Sequence, residues 1–426
     1  MAESGIRLLA TRRLLPLFTA QFFGAVNDNL FKNALVILIT YRDSASPHGT
    51  EILVTLAGAV FIVPYFLFSA TAGQIADRFE KQYLVRAIKA WEIGVMLVAA
   101  LGFALNSIVF QMLVLFGLGV QAAFFGPVKY AIIPELVEES ELVEGNAIIE
   151  AGTFLAILIG TIAGGLLILL PGGTAIVSLS LLAMAVIGWS AAHAIPVGRA
   201  ALPDLPINPN FVAESWRIMR YAYRQPPLKL PLLGISWFWF LGIAYLAQFP
   251  NFAKETLRAD NEVVTLFLTL FSIGIGLGSL LCGWLQRGEV SARLVPVGAL
   301  GLAVFGFDFW LAGGHATGPA HLVGAAQFLA QPAHWRIVVD LFAIAVAGGL
   351  YCVPLYAIMQ ARSEREHRAR VIAANNVTNA LFMTAAGVLS AAMLATGLGI
   401  ASIFLALAVG NAIVTFASWQ ARRHGA

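Results

Sequence analysis

Long apolar runs alternate with short polar segments along the chain, and this pattern predicts twelve membrane-spanning helices. Each run holds about 20 or more mostly apolar residues, enough for a helix to cross roughly 30 Å of hydrocarbon. Spans one to six are predicted at residues 14–39, 51–76, 82–104, 107–128, 144–169 and 174–196. Spans seven to twelve are predicted at residues 229–253, 261–285, 291–313, 335–360, 370–396 and 398–420. The pattern therefore predicts an all-α polytopic membrane protein with two six-helix halves, at 1–196 and 229–426, joined by a cytoplasmic linker at 197–228.

Composition agrees with this pattern and excludes a soluble globular domain. Hydrophobic residues make up 59% of the 426 residues, charged residues only 12%, and the mean hydropathy is +0.82. A soluble domain carries about 25% charged residues. The two cysteines, Cys282 and Cys352, lie inside apolar runs, so we predict that they fill the core and form neither a disulfide nor a zinc site.

The distribution of lysine and arginine predicts the orientation. If the N-terminus is cytoplasmic, twenty of these residues fall in cytoplasmic segments and four, Arg42, Lys254, Arg258 and Arg336, in outer ones. Cytoplasmic loops of membrane proteins carry such an excess. Both termini are therefore expected in the cytoplasm.

Similar features recur in the two halves. Pro127-Val128-Lys129-Tyr130-Ala131-Ile132 ends span four, and Pro354-Leu355-Tyr356-Ala357-Ile358 lies near the end of span ten. In each half a polar loop and an asparagine-containing span follow, although the alignment needs a three-residue insertion. This order favours two parallel repeats around an axis normal to the membrane. The prolines, with Gly126, Gly348 and Gly349, are expected to interrupt spans four and ten.

The candidate site of the first half consists of ionised residues inside spans one, four and five, and Asp28 of span one is the first of them. A charge near the bilayer centre costs about 2.5–3.5 kcal/mol, so it needs a reason. Asp28 lies about 21 Å along span one and can pair with Lys32, one turn away. The two residues, with Asn29, either neutralise each other and hold helices together or line a central cavity that binds a cation or a charged headgroup.

Glu150 of span five is the second such residue, with Asn146 one turn before it on the same face. An isolated glutamate at this depth must face the bundle interior or water. It could titrate, coordinate a cation, or pair with Lys129, and such a pair would act either as a gate or as a structural staple.

Uncharged polar residues supply the candidates of the second half. Those predicted to contact substrate by hydrogen bonds or aromatic surface are Gln248, Tyr351, Asn376 and Asn379. Arg336 and Asp340 are predicted to form a salt bridge at the outer start of span ten. Lys89 and Glu92 of span three are expected to be paired or snorkelling.

A charged turn after span two, Gly73-Gln74-Ile75-Ala76-Asp77-Arg78-Phe79-Glu80-Lys81, resembles the signature of the major facilitator superfamily. The glycine lets two helices approach closely, and Asp77 and Arg78 can pair across helix ends. Gly73, Asp77, Arg78 and Lys81 are therefore the candidate conformational motif.

Within that superfamily, several stretches resemble the bacterial lysophospholipid transporters. They are Ala20-Gln21-Phe22-Phe23-Gly24-Ala25-Val26-Asn27-Asp28-Asn29, Phe125-Gly126-Pro127-Val128-Lys129-Tyr130-Ala131-Ile132, Glu144-Gly145-Asn146-Ala147-Ile148-Ile149-Glu150-Ala151 and Val353-Pro354-Leu355. The resemblance implies inward movement of lysophosphatidylethanolamine and related lysolipids across the bacterial inner membrane by alternating access, with Asp28 and Lys129 handling the headgroup or a coupling ion. Members of that family can carry an arginine in span seven, where this chain has the uncharged run Ala244-Tyr245-Leu246-Ala247-Gln248.

The resemblance also implies a cytoplasmic-side acyltransferase or acyl-ACP ligase as partner, separate or fused, beside the lipid bilayer itself. We expect a monomer, no nucleic-acid partner, no metal site and no cofactor, with Na⁺ or H⁺ as possible coupling ions. The alternative is a transporter of the same fold that exports drugs or carries another amphipathic small molecule. A membrane-embedded acyltransferase would need a His-x4-Asp pair, which none of the seven histidines provides, so no catalytic residue is expected.

Overall fold

The computed structural model describes residues 7–42, 47–314 and 321–423, and twelve helices within them are long and apolar enough to cross a membrane. Spans one to six are the helices Leu15–Arg42, Pro47–Arg78, Lys81–Ala104, Ile108–Leu136, Leu142–Leu167 and Gly173–His193. Spans seven to twelve are Pro226–Asn251, Asn261–Gln286, Val295–Gly314, Pro332–Arg362, Arg368–Ala395 and Ile400–Arg423. The predicted all-α membrane fold is confirmed.

Three corresponding pairs of spans pack together in each half. In the first half span one packs against five, two against four, and three against six. In the second half span seven packs against eleven, eight against ten, and nine against twelve. Because these pairs correspond after a shift of six spans, the halves are structural repeats, as the recurring sequence features predicted.

Small residues bring the packed spans close together, as is common where helices associate in a membrane. Gly349 of span ten lies against span eight, where a side-chain carbon would come within 2.6 Å of the carbonyl oxygen of Ile275. Gly73 of span two faces span eleven in the same way, and a side-chain carbon there would lie 2.7 Å from Cβ of Ala373. A larger residue at either position would push two helices apart.

The expected interruption of spans four and ten is wrong. Span four is one helix through Pro127 and Pro134, and span ten is one helix through Pro354. A proline removes one backbone hydrogen bond, but the neighbouring helices of the bundle hold the helical path.

The segment between the halves crosses one end of the bundle, which we call the linker face. Span one begins at this face and span six ends there. The segment contains a helix at Phe211–Arg224, which we call the linker helix. The side chain of Asn210 caps its N-terminus by accepting a hydrogen bond from the N–H of Ala213 at 3.0 Å. Gln74 of span two and the backbone of Asn208 exchange two hydrogen bonds, of 2.7 and 3.3 Å. The linker is thereby held against span two.

The two halves meet mainly through four pairs of spans: two with eleven, four with eleven, five with eight, and five with ten. Close contacts near the linker face include Gly283 against Ala147 and Gly288 against Ser140. We call this contact region the seam.

Candidate functional site

Span one carries a polar face near its middle. Asp28, Asn29 and Lys32 are all partly exposed there, whereas the preceding Asn27 is buried. Of the two alternatives for Asp28 and Lys32, the direct ion pair is not formed: the two described side chains do not come within 4 Å of each other, although each charge acts on the other. Nζ of Lys32 instead lies 3.3 Å from the centre of the Phe61 ring, a cation–π contact. Oδ1 of Asp28 is buried and has no hydrogen-bond partner among the described residues.

Glu150 of span five is buried beside the linker-face half of span four. Its Oε1 accepts a hydrogen bond from the hydroxyl of Tyr130, while its Oε2 has no partner within the described residues. Lys129 is close enough to act on Glu150 electrostatically but forms no ion pair with it within 4 Å. Nζ of Lys129 lies 4.4 Å from the centre of the Tyr130 ring. The alternative of a direct Glu150–Lys129 pair is therefore not realised in this conformation.

Aromatic rings join the two halves at the depth of Glu150. Tyr130 of span four stacks on Tyr356 of span ten, with ring centres 4.3 Å apart and planes within 8°. Nε1 of Trp239 donates to the hydroxyl of Tyr356 at 3.1 Å. Phe154 of span five packs against Phe238 and Trp239 of span seven, at 6.0 and 6.3 Å. We call these five aromatic residues, which join spans four and five to spans seven and ten, the aromatic floor.

Below this floor, the charged turn after span two closes the seam. Asp77 is buried and accepts from Nε of Arg370 at 2.9 Å and from the backbone N–H groups of Ala369 and Arg370 at 3.1 and 3.4 Å. The backbone donors belong to the first turn of span eleven, where N–H groups are free and a carboxylate is favoured. Asp77 is therefore the member of the motif that pairs across helix ends.

The other members of the motif have local roles. Arg78 lies over the ring of Phe79, 5.4 Å from its centre, and not against a carboxylate of the opposite half. Nζ of Lys81 pairs with Glu135 of span four at 2.8 Å, within the first half.

Asn146 lies in the seam, not beside the polar face of span one. It exchanges two hydrogen bonds with Gln360 of span ten, of 2.7 and 2.9 Å, and both side chains are fully buried. This amide pair adds a second polar tie between the halves near the linker face.

The polar candidates of the second half are divided between the seam and the interior of that half. Asn376 lies against Gly126 of span four, and its Nδ2 has no hydrogen-bond partner in the described part of the chain. Asn379 accepts from Ser236 at 2.7 Å and so ties span eleven to span seven. Tyr351 is fully buried near Gly234 and Gly298, and no described residue forms a hydrogen bond with its hydroxyl.

Gln248, near the far end of span seven, is 4% exposed, and its Oε1 likewise accepts no hydrogen bond from a described residue. The sequence placed Tyr351 and Gln248 on a substrate path. The structure places Tyr351 among the helices of one half.

Two further predicted ion pairs have different outcomes. The predicted Arg336–Asp340 bridge is wrong: Arg336 binds Asp308 of span nine through both guanidinium and carboxylate groups, with Nε–Oδ2 at 2.9 Å. Lys89 and Glu92 are paired at 2.7 Å, as expected, and both are fully buried, so neither snorkels. Cys282 and Cys352 are buried and unpaired, which confirms their assignment to the core.

Sequence reasoning missed four contributors to the floor and the seam: Tyr130, Phe154, Gln360 and Arg370. A signal existed for Tyr130, since Tyr130 and Tyr356 both begin the Tyr-Ala-Ile sequence that recurs in the two halves. Nothing in the sequence distinguishes Gln360 or Arg370 from other polar residues at the end of a span. No cluster of three metal-binding side chains occurs in the described part of the chain.

Two repeated six-helix halves, with charged residues inside and a sealed seam at one face, define a polytopic secondary transporter. A family model described as "Major Facilitator Superfamily" matches residues 17–333. The chain belongs to this superfamily.

Among curated proteins the chain is similar to the "Lysophospholipid transporter LplT" of Escherichia fergusonii, with 28% identity over 98% of each chain. It is equally similar to the protein of that name from Citrobacter koseri, with 28% identity over 97% of each chain.

Solved structures confirm the fold. The human organic anion transporter MFSD10 has a TM-score of 0.74 and 14% identity, with 96% of this chain and 99% of that chain covered. A bacterial homologue of the iron transporter ferroportin, in an outward-facing state, has a TM-score of 0.68 and 14% identity, with 96% and 100% covered.

Proposed function

We propose that this protein moves lysophospholipids inward across the inner membrane of a bacterium by alternating access. Full-length similarity to proteins named as lysophospholipid transporters supports the substrate class. The excess of lysine and arginine at the linker face supports placing that face, with both termini, in the cytoplasm. The chain would move its substrate without changing a covalent bond.

The observation that carries this proposal is a set of opposite charges inside the membrane that do not form ion pairs with one another among the described residues. Asp28 and Glu150 each keep a carboxylate oxygen without a hydrogen-bond partner among the described residues. Lys32 and Lys129 rest on aromatic rings and not on carboxylates. A zwitterionic headgroup offers an ammonium to such a carboxylate and a phosphate to such a lysine, while its acyl chain needs apolar surface.

The position of the seam supports a conformation open toward the outer face. Asp77 with Arg370, and Asn146 with Gln360, close the linker face, and the aromatic floor lies above them. Asp28 and Lys32 lie beyond that floor and remain partly exposed. A lysolipid that reached them from the outer leaflet would be released to the cytoplasmic side when the floor and the seam open.

The same proposal covers energy coupling and partners. Glu150, with one unpartnered oxygen beside Lys129, is the residue that we propose for coupling to H⁺ or Na⁺. On the cytoplasmic side an acyltransferase, separate or fused, would consume the product. A monomer would suffice, since one chain supplies both halves.

The test is uptake of labelled lysophosphatidylethanolamine by proteoliposomes, with imposed sodium or proton gradients. We expect the Asp28→Asn and Lys129→Met variants to lower the initial rate about ten- to a hundredfold, because each removes a charge-assisted headgroup contact of about 1.5–3 kcal/mol. Glu289→Gln is the matched control, since Glu289 pairs with Arg293 in an exposed site at the linker face.

Absence of uptake by the wild-type protein would reject lysophospholipids as the substrate. Uptake in both variants at the rate of the control would reject the charged site. Uptake of a drug panel in place of the lysolipid would favour the alternative of an exporter of the same fold.

A further inference from the structure

A second group of charges lies beside spans one and four, whose surface carrying Asp28 and Lys129 we call the wall. Nζ of Lys89 and Oε2 of Glu92 are 2.7 Å apart on span three, and neither side chain is exposed. Asn27 of span one donates to Oε1 of Glu92 at 3.0 Å, and Gln121 of span four donates to Oε2 at 2.9 Å. Both oxygens of Glu92 are therefore bonded, and this four-residue network ties spans one, three and four together.

The network is adjacent to both residues of the candidate headgroup site, Asp28 on span one and Lys129 on span four. Asn27 immediately precedes Asp28, and the charges of Glu92 and Lys89 act on Asp28. Nζ of Lys89 also lies 4.9 Å from the centre of the Phe125 ring. Phe125 is one helical turn from Lys129 on the same face of span four. Lys89 acts electrostatically on Lys129 as well.

The network balances the charges of the wall. A buried pair of opposite charges adds no net charge, but loss of one partner leaves a whole charge in a medium that screens poorly. An extra positive charge would favour an anionic headgroup over a zwitterionic one, and an extra negative charge would disfavour it.

We propose that the buried Lys89–Glu92 pair determines headgroup specificity: it keeps the wall neutral, so that the site accepts zwitterionic lysolipids in preference to anionic ones. Glu92 is also a positioning residue, because its bonds to Asn27 and Gln121 set the distance between the spans that carry Asp28 and Lys129. This inference rests on the proposed transport of lysophospholipids.

The experiment measures the uptake ratio of lysophosphatidylglycerol to lysophosphatidylethanolamine in proteoliposomes. Glu92→Gln leaves Lys89 uncompensated and is expected to raise this ratio about five- to tenfold. Lys89→Met leaves Glu92 uncompensated and is expected to lower the ratio by a similar factor. The double variant Lys89→Met/Glu92→Gln restores neutrality and is expected to restore the wild-type ratio.

Shifts of the uptake ratio in opposite directions in the two single variants distinguish this role from a structural one. A purely structural role would lower the uptake of both lysolipids in the same proportion and leave their ratio unchanged. Glu135→Gln is the matched control: it breaks the Lys81–Glu135 pair near the linker face and should leave the ratio unchanged. If the single variants do not fold, Gln121→Lys supplies the test. It adds a positive charge while keeping a donor to Glu92, and it should raise the ratio as Glu92→Gln does.

Each outcome has one meaning. Wild-type protein that transports neither lysolipid refutes the proposed function. Wild-type transport with an unchanged ratio in the folded single variants, or in Gln121→Lys, overturns the specificity role and leaves the proposed function standing.

Discussion

Replacement of Asp77 by asparagine should open the seam at the linker face. The carboxylate is buried and accepts three hydrogen bonds from span eleven, one of them from the Arg370 guanidinium at 2.9 Å. Asparagine has nearly the same volume but no charge, and its NH2 group would face donors. Arg370, only 7% exposed, would keep the carbonyl oxygen of Glu366 as a partner at 2.7 Å.

The expected magnitude follows from the burial of this pair. Removal of one partner of a buried ion pair costs about 3–5 kcal/mol. We take the lower end, about 3 kcal/mol, because Arg370 keeps the bond to Glu366. The loss applies to the closed seam alone, since water solvates both groups once the halves separate. A change of about 3 kcal/mol shifts the equilibrium between closed and open seams roughly a hundredfold toward the open one.

Cysteine accessibility measures this equilibrium. Ala147 of span five is 1% exposed and faces Gly283 of span eight, so a cysteine there is covered while the seam is closed. We expect Asp77→Asn to raise the labelling rate of Ala147→Cys by a soluble maleimide applied from the linker face. The background lacks both native cysteines. Asp308→Asn is the control, because Asp308 pairs with Arg336 within the second half and at the opposite end of the bundle. Equal labelling in Asp77→Asn and Asp308→Asn would refute the assignment of Asp77 to the seam.

Two other substitutions test the floor and the helix packing. Tyr130→Phe keeps the ring stacked on Tyr356 but leaves both oxygens of Glu150 without a partner among the described residues. We therefore expect the protein to lose about 1.5–3 kcal/mol of stability. The loss would be measured as a lower midpoint of thermal unfolding in detergent. An unchanged midpoint would show that the hydroxyl of Tyr130 does not stabilise the buried carboxylate. Gly349→Val should reduce the yield of folded protein sharply, since a side chain there meets the backbone of span eight at 2.6 Å. Gly387 has open space around it, so Gly387→Val is the control and should give the wild-type yield. The yield is measured as the folded peak on size-exclusion chromatography.

Polar residues inside the spans show how far helix spacing predicts contacts. Spacing of four placed Asp28 with Lys32, and Arg336 with Asp340, but the structure joins Lys32 to Phe61 and Arg336 to Asp308. Spacing along one helix says which residues share a face. It does not say which partner a neighbouring helix brings, and such a partner can displace the local one. Lys89 and Glu92, expected from the sequence to be paired or snorkelling, do pair, because both lie on one face of span three and are buried together.

The number of spans, their lengths and the division into two repeated halves were determined by the sequence itself. Transfer of an apolar helix into lipid depends on the residues of that segment, so it can be evaluated span by span. Only the tertiary structure decided that Asp77 binds Arg370, that Asn146 pairs with Gln360 and that Tyr130 stacks on Tyr356. These contacts join residues more than two hundred positions apart, and they exist only because the two halves close on each other at the linker face.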